Sequence, residues 1–223
     1  MIGVVIPCRD GERYLGEAIA SVRDQTVPVA EIVVADDGSS DGSAALAESL
    51  GARVVRTPRP GSGAAAGRLA GAGALATPLL AFLDCDDRWV PDKLERQTAA
   101  LAADPALDGV IGGVRNFFTP EREAELRGRL ALPPDLPAAF AWGALLVRRP
   151  AFDALGWKGV EGPGETVDFF RLAREQLTLG MVPGVVFERR VHGDNVTVMD
   201  RTALHADYLR IARAAVLARR ERP

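Results

Sequence analysis

The chain has 223 residues, of which 48% are hydrophobic, and carries a net charge of −3 at neutral pH. This length suits one domain with a sizeable core or two closely joined halves. The slightly acidic charge excludes nucleic acid as a bulk electrostatic partner, and the apolar stretches are too short to span a membrane. A polyanionic ligand would therefore need a local source of positive charge, such as a metal ion or a helix N-terminus.

The N-terminal residues and the two cysteines indicate in which cellular compartment the protein is expected. The N-terminus has neither a basic leader nor a cleavage site, which predicts that no signal peptide is present. The two cysteines, Cys8 and Cys85, are far apart and fit a reducing environment. We therefore expect a soluble cytoplasmic protein, with a peripheral position at the inner membrane face as the alternative.

The first hundred residues alternate between short apolar strands and amphipathic helices. Strands are predicted at residues 2–6, 31–35, 53–56 and 79–83, and helices at 11–25, 43–50 and about 64–76. The first helix carries an apolar stripe that includes Tyr14, Leu15, Ala18, Ile19 and Val22. This alternation predicts an α/β fold in which helices flank a mainly parallel, twisted sheet.

Beyond residue 104 the pattern is looser. Strands are predicted at 109–116, 141–147 and 182–191, and helices at 150–155, 168–176 and 201–220. Residues 113–140 include a stretch rich in proline and charge, and we expect a mobile flap on the acceptor side there. The prediction is one domain, 1–223, with a nucleotide-binding half (1–104), an acceptor half (105–200) and a C-terminal helix (201–223). Packing on the body is the default for this basic amphipathic helix, with a homodimer or membrane-surface contact as alternatives.

Three polar clusters follow predicted strands, at residues 8–10, 36–39 and 84–87. Ligands of such sheets bind at the carboxyl ends of the strands, so the topology is expected to bring the clusters to one edge. The run Asp84-Cys85-Asp86-Asp87 places three carboxylates after a buried strand, which favours a hard divalent cation that would bridge to a diphosphate. The alternative is a solvated acidic turn that caps the next helix. Asp36-Asp37-Gly38-Ser39 is also typical of a plain turn and helix cap.

Three segments carry a family resemblance. They are Val-Val-Ile-Pro-Cys-Arg-Asp (4–10), Ile-Val-Val-Ala-Asp-Asp-Gly-Ser-Ser-Asp-Gly (32–42) and Leu-Ala-Phe-Leu-Asp-Cys-Asp-Asp-Arg-Trp-Val-Pro-Asp-Lys-Leu (80–94). Together they resemble the family 2 glycosyltransferases of the GT-A fold, whose nucleotide-binding half is Rossmann-like. The resemblance covers residues 2–100. It implies an inverting transfer from a nucleoside diphosphate sugar, assisted by Mn²⁺ or Mg²⁺.

The resemblance also implies residue roles. Pro7, Arg9 and Asp10 would line the nucleotide pocket and Asp37 would meet the base. Asp84 and Asp86 would take the ribose, metal and diphosphate roles, Asp86 being the first choice for the metal. Arg68 would reach the diphosphate or base, although Leu69 replaces the usual asparagine and a solvated helix charge is the alternative. Cys85 belongs to the same binding run, but its side chain is expected to point away, buried and chemically silent. Asp87 would cap the next helix or hold the site from behind.

The second half offers candidates for the general base and for a third metal ligand. Residues 164–170 resemble the family's Glu-Asp-x-Asp segment, but Thr166 stands where the aspartate is usual. Glu165 and Asp168 are the two candidate bases, and Asp168 is preferred because an aromatic pair follows it. Favourable acids at a helix N-terminus would explain both without catalysis. Residues 189–197 resemble a closing Arg-x-His-Gly motif, in which His192 would be a metal ligand and an arginine would clamp the diphosphate.

Other functions share parts of this pattern. A nucleotidyltransferase would show a glycine-rich phosphate loop after the first strand, whereas this chain has Pro-Cys-Arg-Asp at residues 7–10. A haloacid-dehalogenase-like phosphatase would place Asp-x-Asp after its first strand, whereas Asp84-Cys85-Asp86 follows the fourth predicted strand. A non-catalytic sugar-nucleotide-binding module stays open because of Thr166. Trp142, on a predicted strand, is expected in the core rather than against an acceptor sugar. The donor sugar, the base and the acceptor, whether saccharide, lipid-linked or small molecule, have no readable motif.

Overall fold

The computed structural model describes residues 1–129, 135–136, 139–160, 162 and 164–192. The predicted helix at 201–220 and the motif residues 193–197 lie outside this part of the chain. Nine strands and seven α-helices are defined within it. The strands are β1 Ile2–Cys8, β2 Glu31–Asp36, β3 Arg53–Arg56, β4 Leu79–Phe82, β5 Arg88–Trp89, β6 Gly109–Phe118, β7 Asp135–Leu136, β8 Leu146–Arg148 and β9 Leu179–Val191. The helices are α1 Glu12–Arg23, α2 Ser43–Ser49, α3 Gly63–Ala74, α4 Lys93–Ala103, α5 Glu123–Arg129, α6 Arg149–Ala154 and α7 Glu165–Gln176.

One sheet runs through the molecule in the order β3-β2-β1-β4-β8-β6-β9-β5, and β7 pairs with β6. The first four strands are parallel, as predicted, and β6 and β9 form a second long parallel pair. The short strands β5, β7 and β8 pair antiparallel with their neighbours. The predicted α/β fold with a mainly parallel sheet is therefore confirmed, and β4–β8 pairing makes the two predicted halves parts of one sheet.

The sheet forms because β1 and β2 are continuous apolar runs that are buried along nearly their whole length. Two hydrophobic clusters cover the sheet, one including α1 and the other including α3 and α7. Helix α3 is rich in glycine and alanine because it lies against β1. A Cβ on Gly71 would come within 2.4 Å of the Val5 side chain, so only glycine permits this approach. This close packing brings Arg68 over the carboxyl end of the sheet.

Two parts of the second half differ from the predictions. Residues 141–147 do not form one strand: Trp142–Ala144 is a 3-10 turn and only Leu146–Arg148 pairs, with β4 and β6. The reason is that Trp142 fills the apolar layer between the sheet and α7, which the alternation of apolar residues does not reveal. The region 113–140, where the flap was expected, contains the end of β6, a 3-10 turn at Pro120–Arg122 and α5. Its mobility stays a prediction.

In the part of the chain that the structure describes, no helix combines the length and apolar character needed to cross a membrane.

Candidate active site

A cavity of about 740 Å³ opens where β1, β2 and β4 end. The predicted site residues that line it are Pro7, Arg9, Asp10, Asp37, Arg68, Asp84, Cys85, Asp86, Glu165 and His192. Residues from all three strand-end clusters therefore meet at one edge, as the topology predicted. Asp168 is the one predicted site residue outside the lining.

Asp37 is held rigidly at the β2 end of the cavity. Its Oδ1 accepts hydrogen bonds from the Thr57 hydroxyl at 2.7 Å and from the Ser62 backbone N–H at 2.9 Å. Its Oδ2 accepts one from the Gly63 N–H at 2.8 Å, where α3 begins. The carboxylate is 5% exposed. Neutral donors therefore satisfy this charge, and each oxygen is fixed before any ligand arrives.

Asp10 joins the loop after β1 to the loop after β2. Its Oδ1 accepts hydrogen bonds from the Ser40 N–H at 2.7 Å and the Ser40 hydroxyl at 2.9 Å, and these bonds lower the pKa of Asp10. Its own N–H donates to the Ser39 hydroxyl. Asp10 adopts a left-handed backbone conformation with φ of 49°, which aspartate tolerates better than most side chains. The exposed guanidinium of Arg9 lies at the mouth of the cavity beside it.

Arg68 is the central cation of the cavity. Its side chain is 2% exposed, and its two terminal nitrogens donate to Glu165 Oε1 and Asp84 Oδ1. The guanidinium carbon also lies 4.8 Å from the ring centroid of Trp142. The alternative of a solvated helix charge is therefore wrong. One buried arginine ties α3 to the end of β4 and to the first residue of α7.

The two candidate bases occupy different environments. Glu165 lies in the cavity wall, 7% exposed, and within the described residues its Oε2 is buried without a hydrogen-bond partner. Burial raises the pKa of Glu165, against the opposing charge of Arg68. Asp168 instead accepts hydrogen bonds from Trp157 at 3.2 Å and Arg171 at 3.3 Å.

Of the two candidate bases, Glu165 lies in the cavity wall and Asp168 lies outside the lining. The aromatic pair that suggested Asp168, Phe169 and Phe170, packs in the core with Trp142 rather than facing a ligand. Trp142 itself is 2% exposed, which confirms its assignment to the core.

The predicted metal ligands do not form one three-residue set. His192 Nε2 lies 3.0 Å from Asp86 Oδ2, but Asp84 is engaged by Arg68. Among the residues with described positions, no group of three or more His, Cys, Asp or Glu side chains is arranged around a common point. Asp86 and His192 still fit a partial site, because Mn²⁺ accepts both oxygen and imidazole ligands. Such cations are often held by one or two protein ligands, with phosphate and water completing the shell.

The acidic run is anchored from behind by β9. Asp87 is 5% exposed, and its Oδ1 accepts a hydrogen bond from the Arg190 backbone N–H at 2.8 Å. The Arg190 side chain donates in turn to the Asp86 carbonyl at 2.9 Å. Burial, with the nearby charges of Asp86 and Asp84, raises the pKa of Asp87 well above its ordinary value. Helix α4 begins after Asp92, so Asp87 holds the site rather than capping the helix.

The lining also contains residues that were not predicted as site residues, among them Cys8 and Tyr14. The Tyr14 ring lies 5.1 Å from the His192 ring, although the periodicity of α1 predicted it as part of the apolar stripe. The Cys8 and Cys85 sulfur atoms both lie beside Gly11, and the interaction between the two thiols lowers the pKa of Cys8 and raises that of Cys85. Cys85 therefore faces Cys8 and the cavity, contrary to the prediction that it points away. The available signal was that Cys8 belongs to the first strand-end cluster and that Tyr14 follows this cluster by four residues.

Comparison with known sequences identifies related proteins. The profile of Glycosyl transferase family 2 matches residues 3–158. The putative teichuronic acid biosynthesis glycosyltransferase TuaG of Bacillus subtilis is 34% identical over 101 residues, 44% of this chain and 40% of TuaG. The Escherichia coli protein WfgD, a UDP-Glc:alpha-D-GlcNAc-diphosphoundecaprenol beta-1,3-glucosyltransferase, is 31% identical over 103 residues, 45% of this chain and 41% of WfgD. The matched part is thus less than half the length of either relative.

Solved structures share the fold at low sequence identity. S. aureus TarS 1–349 in complex with UDP-GlcNAc gives a TM-score of 0.72 at 16% identity, covering 95% of this chain and 65% of that one. Glucosyl-3-phosphoglycerate synthase from Mycobacterium tuberculosis, in complex with Mn²⁺, UDP and glucosyl-3-phosphoglycerate, gives a TM-score of 0.64 at 22% identity, covering 95% of this chain and 79% of that one. The fold is that of the GT-A glycosyltransferases.

Proposed function

The chain belongs to glycosyl transferase family 2, and we propose that it transfers a sugar from a nucleoside diphosphate sugar to an acceptor hydroxyl, with inversion at the anomeric carbon. One observation carries the proposal. A buried carboxylate, a buried arginine and a carboxylate–imidazole pair converge in one cavity at the carboxyl ends of parallel strands. This is where α/β sheets bind nucleotides.

The donor is proposed to be a uridine diphosphate sugar. WfgD is named for UDP-Glc, and TarS and the synthase were solved with UDP-GlcNAc and UDP. Asp37 would accept hydrogen bonds from the base, because its carboxylate is already oriented at the end of β2. Pro7, Arg9 and Asp10 would form the adjoining wall. Arg68 and Asp84 would lie beside the ribose and diphosphate.

Asp86 and His192 are proposed to hold a Mn²⁺ or Mg²⁺ ion together with the diphosphate. A bound divalent cation supplies charge neutralisation for the leaving group. The protein contributes the placement of the two ligands: Arg190 holds the Asp86 backbone, and Tyr14 packs against the His192 ring. Ligand side chains fixed in this way lose little entropy on binding.

Glu165 is proposed as the general base. In the reaction the acceptor oxygen bonds to the anomeric carbon as the bond to the diphosphate breaks, and the hydroxyl proton passes to Glu165 Oε2. This oxygen has no hydrogen-bond partner in the described chain, whereas Oε1 is held by Arg68. Burial raises the pKa of Glu165 and so makes its carboxylate a better proton acceptor than an exposed one.

A non-catalytic sugar-nucleotide-binding module is the second candidate. It is favoured by Thr166, whose hydroxyl lies 3.2 Å from Glu165 Oε1 and which replaces the expected aspartate in the cavity wall. In that case the protein would bind the donor without turnover. The two functions therefore agree on binding and differ on whether Glu165 acts as a base.

The proposal is tested first by the melting temperature of the protein with UDP, ADP, GDP and CDP, each with and without Mn²⁺ or Mg²⁺. A ligand at about 100 times its Kd stabilises the folded state by about 2.7 kcal/mol, so UDP with metal should raise the melting temperature clearly. The Asp86→Asn variant is the control, in which the metal-dependent part of the shift should shrink. If no nucleoside diphosphate shifts the melting temperature with either metal, the proposed function is wrong.

A further inference from the structure

The chain contains two cysteines, and the fold brings them together. Strands β1 and β4 are parallel neighbours in which Val5 lies opposite Phe82. Cys8 is the last residue of β1, and Cys85 lies in the turn three residues after Phe82. Neighbouring strands lie about 4.7–4.9 Å apart, and a disulfide bridges Cα atoms about 4.4–6.8 Å apart. The ends of two neighbouring strands are therefore close enough for a disulfide between residues that face each other.

The surroundings of Gly11 show that the two cysteine side chains are directed toward the same position. A Cβ on Gly11 would lie 2.8 Å from Cys8 Sγ and 2.9 Å from Cys85 Sγ. Both sulfurs thus lie over the same backbone atom, at the start of α1. Because residue 11 is glycine, this position adds no side chain beside the two sulfurs.

The cysteines are reachable through the cavity. Both belong to its lining, Cys85 half-buried and Cys8 buried. A small oxidant such as hydrogen peroxide fits in a cavity of about 740 Å³. The hydrogen bond from Cys85 lowers the pKa of Cys8, so Cys8 has the more thiolate character of the two.

We propose that Cys8 and Cys85 are a modification site, at which hydrogen peroxide forms a reversible intramolecular disulfide that lowers the affinity of the cavity for nucleoside diphosphate. The Cys8 thiolate attacks one peroxide oxygen and the O–O bond breaks, giving a sulfenic acid and hydroxide. The Cys85 sulfur then attacks the Cys8 sulfur and water leaves. In total, two thiols lose two electrons and two protons, and one peroxide becomes two waters.

The effect on affinity rests on the proposed function, and it follows from what flanks each cysteine. Cys85 lies between Asp84 and Asp86, and Cys8 precedes Arg9 and Asp10. A disulfide holds its sulfur atoms about 2.05 Å apart, much closer than hydrogen-bonded thiols. The bond would draw the acidic run toward the end of β1. Asp86 would then be displaced from His192, and Asp84 from Arg68.

The test treats reduced protein with hydrogen peroxide, removes the peroxide, and counts free thiols under denaturing conditions with a thiol-reactive dye. The expected result is the loss of both thiols and a monomer mass lower by two hydrogen atoms. Affinity for UDP with Mn²⁺ should fall by roughly tenfold, the effect of about one lost charge-assisted contact, and dithiothreitol should restore it. The Cys85→Ser and Cys8→Ser variants are the controls for oxidation elsewhere. Each should bind UDP equally before and after peroxide.

The outcomes separate this inference from the proposed function. Two thiols that persist after peroxide, or a dimer linked between chains, would overturn the disulfide. A disulfide that leaves UDP affinity unchanged would overturn the effect on binding. If reduced protein binds no nucleoside diphosphate, the proposed function fails and the affinity effect fails with it, but the thiol count still decides whether the disulfide forms.

Discussion

The two sides of the cavity hold their carboxylates in different ways. On the side of β1 and β2, Asp10 and Asp37 accept hydrogen bonds from hydroxyls and backbone N–H groups of nearby loops. On the side of α7 and β4, Glu165 and Asp84 share one buried cation, Arg68. On the first side several neutral donors share each charge, so no single group is the sole partner. The second side depends on one guanidinium, because an unpaired buried charge is costly.

The largest expected effect is on turnover, and it tests whether the side built on α7 carries the chemistry. Glu165→Gln should lower kcat by about 10²–10⁴-fold while UDP affinity changes little, because the amide cannot accept the proton. The measurement is release of nucleoside diphosphate from the donor, with water as the first acceptor. Asp168→Asn is the matched control three residues along the same helix and should retain activity within about threefold. Equal losses in the two variants would contradict the assignment of the base.

The next effect is on stability, and it tests the dependence on one cation. Arg68→Met should lower the free energy of unfolding by about 3–5 kcal/mol, because Glu165 and Asp84 lose their shared partner. Arg53→Met is the control: its pair with Glu31 is largely exposed and is worth about 0–1 kcal/mol. Urea unfolding of both variants measures the difference. A loss near that of the control would show that the buried ion pairs contribute no more than surface ones.

A smaller effect is expected at the acidic run. Asp86→Asn should weaken Mn²⁺-dependent binding of UDP by at least about tenfold, because the cation loses its charged protein ligand. Titration calorimetry with and without Mn²⁺ separates this effect from a change in nucleotide contacts. Asp92→Asn, which removes a carboxylate paired with Arg96 on the exposed side of α4, should bind normally. Metal-independent weakening in the Asp86 variant would argue against a metal at this position.

The last effect is a dependence on pH and concerns a third kind of buried charge, away from the cavity. Lys93 is fully buried and donates to Gln97 Oε1 at 2.6 Å, and burial lowers the pKa of Lys93 well below its ordinary value. Between the lowered pKa and about 10.4, the unfolded chain binds a proton that the folded chain does not, so stability should rise with pH by at most about 1.4 kcal/mol per unit.

Lys93→Met should remove this part of the slope in urea unfolding between pH 6 and 9. Lys158→Met changes the net charge equally at an exposed position and serves as the control. If Lys93→Met and wild type have parallel stability curves, the lysine is protonated in both states over this range.

Sequence alone was sufficient for the strand ends that form the cavity and not for the contribution of α7. The strand ends of β1, β2 and β4 could be predicted because their buried runs are continuous, and parallel strands bring their carboxyl ends to one edge. The choice between Glu165 and Asp168 could not. Both lie in the first turn of α7, and which one faces the cavity depends on how that helix packs on Trp142.

The amino-acid sequence by itself determined the α/β fold, the meeting of three polar clusters and the family, because each rests on local runs and their order. Only the tertiary structure decided that Arg68 is a shared buried cation, that Asp84 pairs with it instead of joining Asp86 and His192, and that Cys85 faces Cys8. These contacts join residues between 16 and 97 positions apart or on neighbouring strands. Their geometry follows from helix and sheet packing, which no local pattern records.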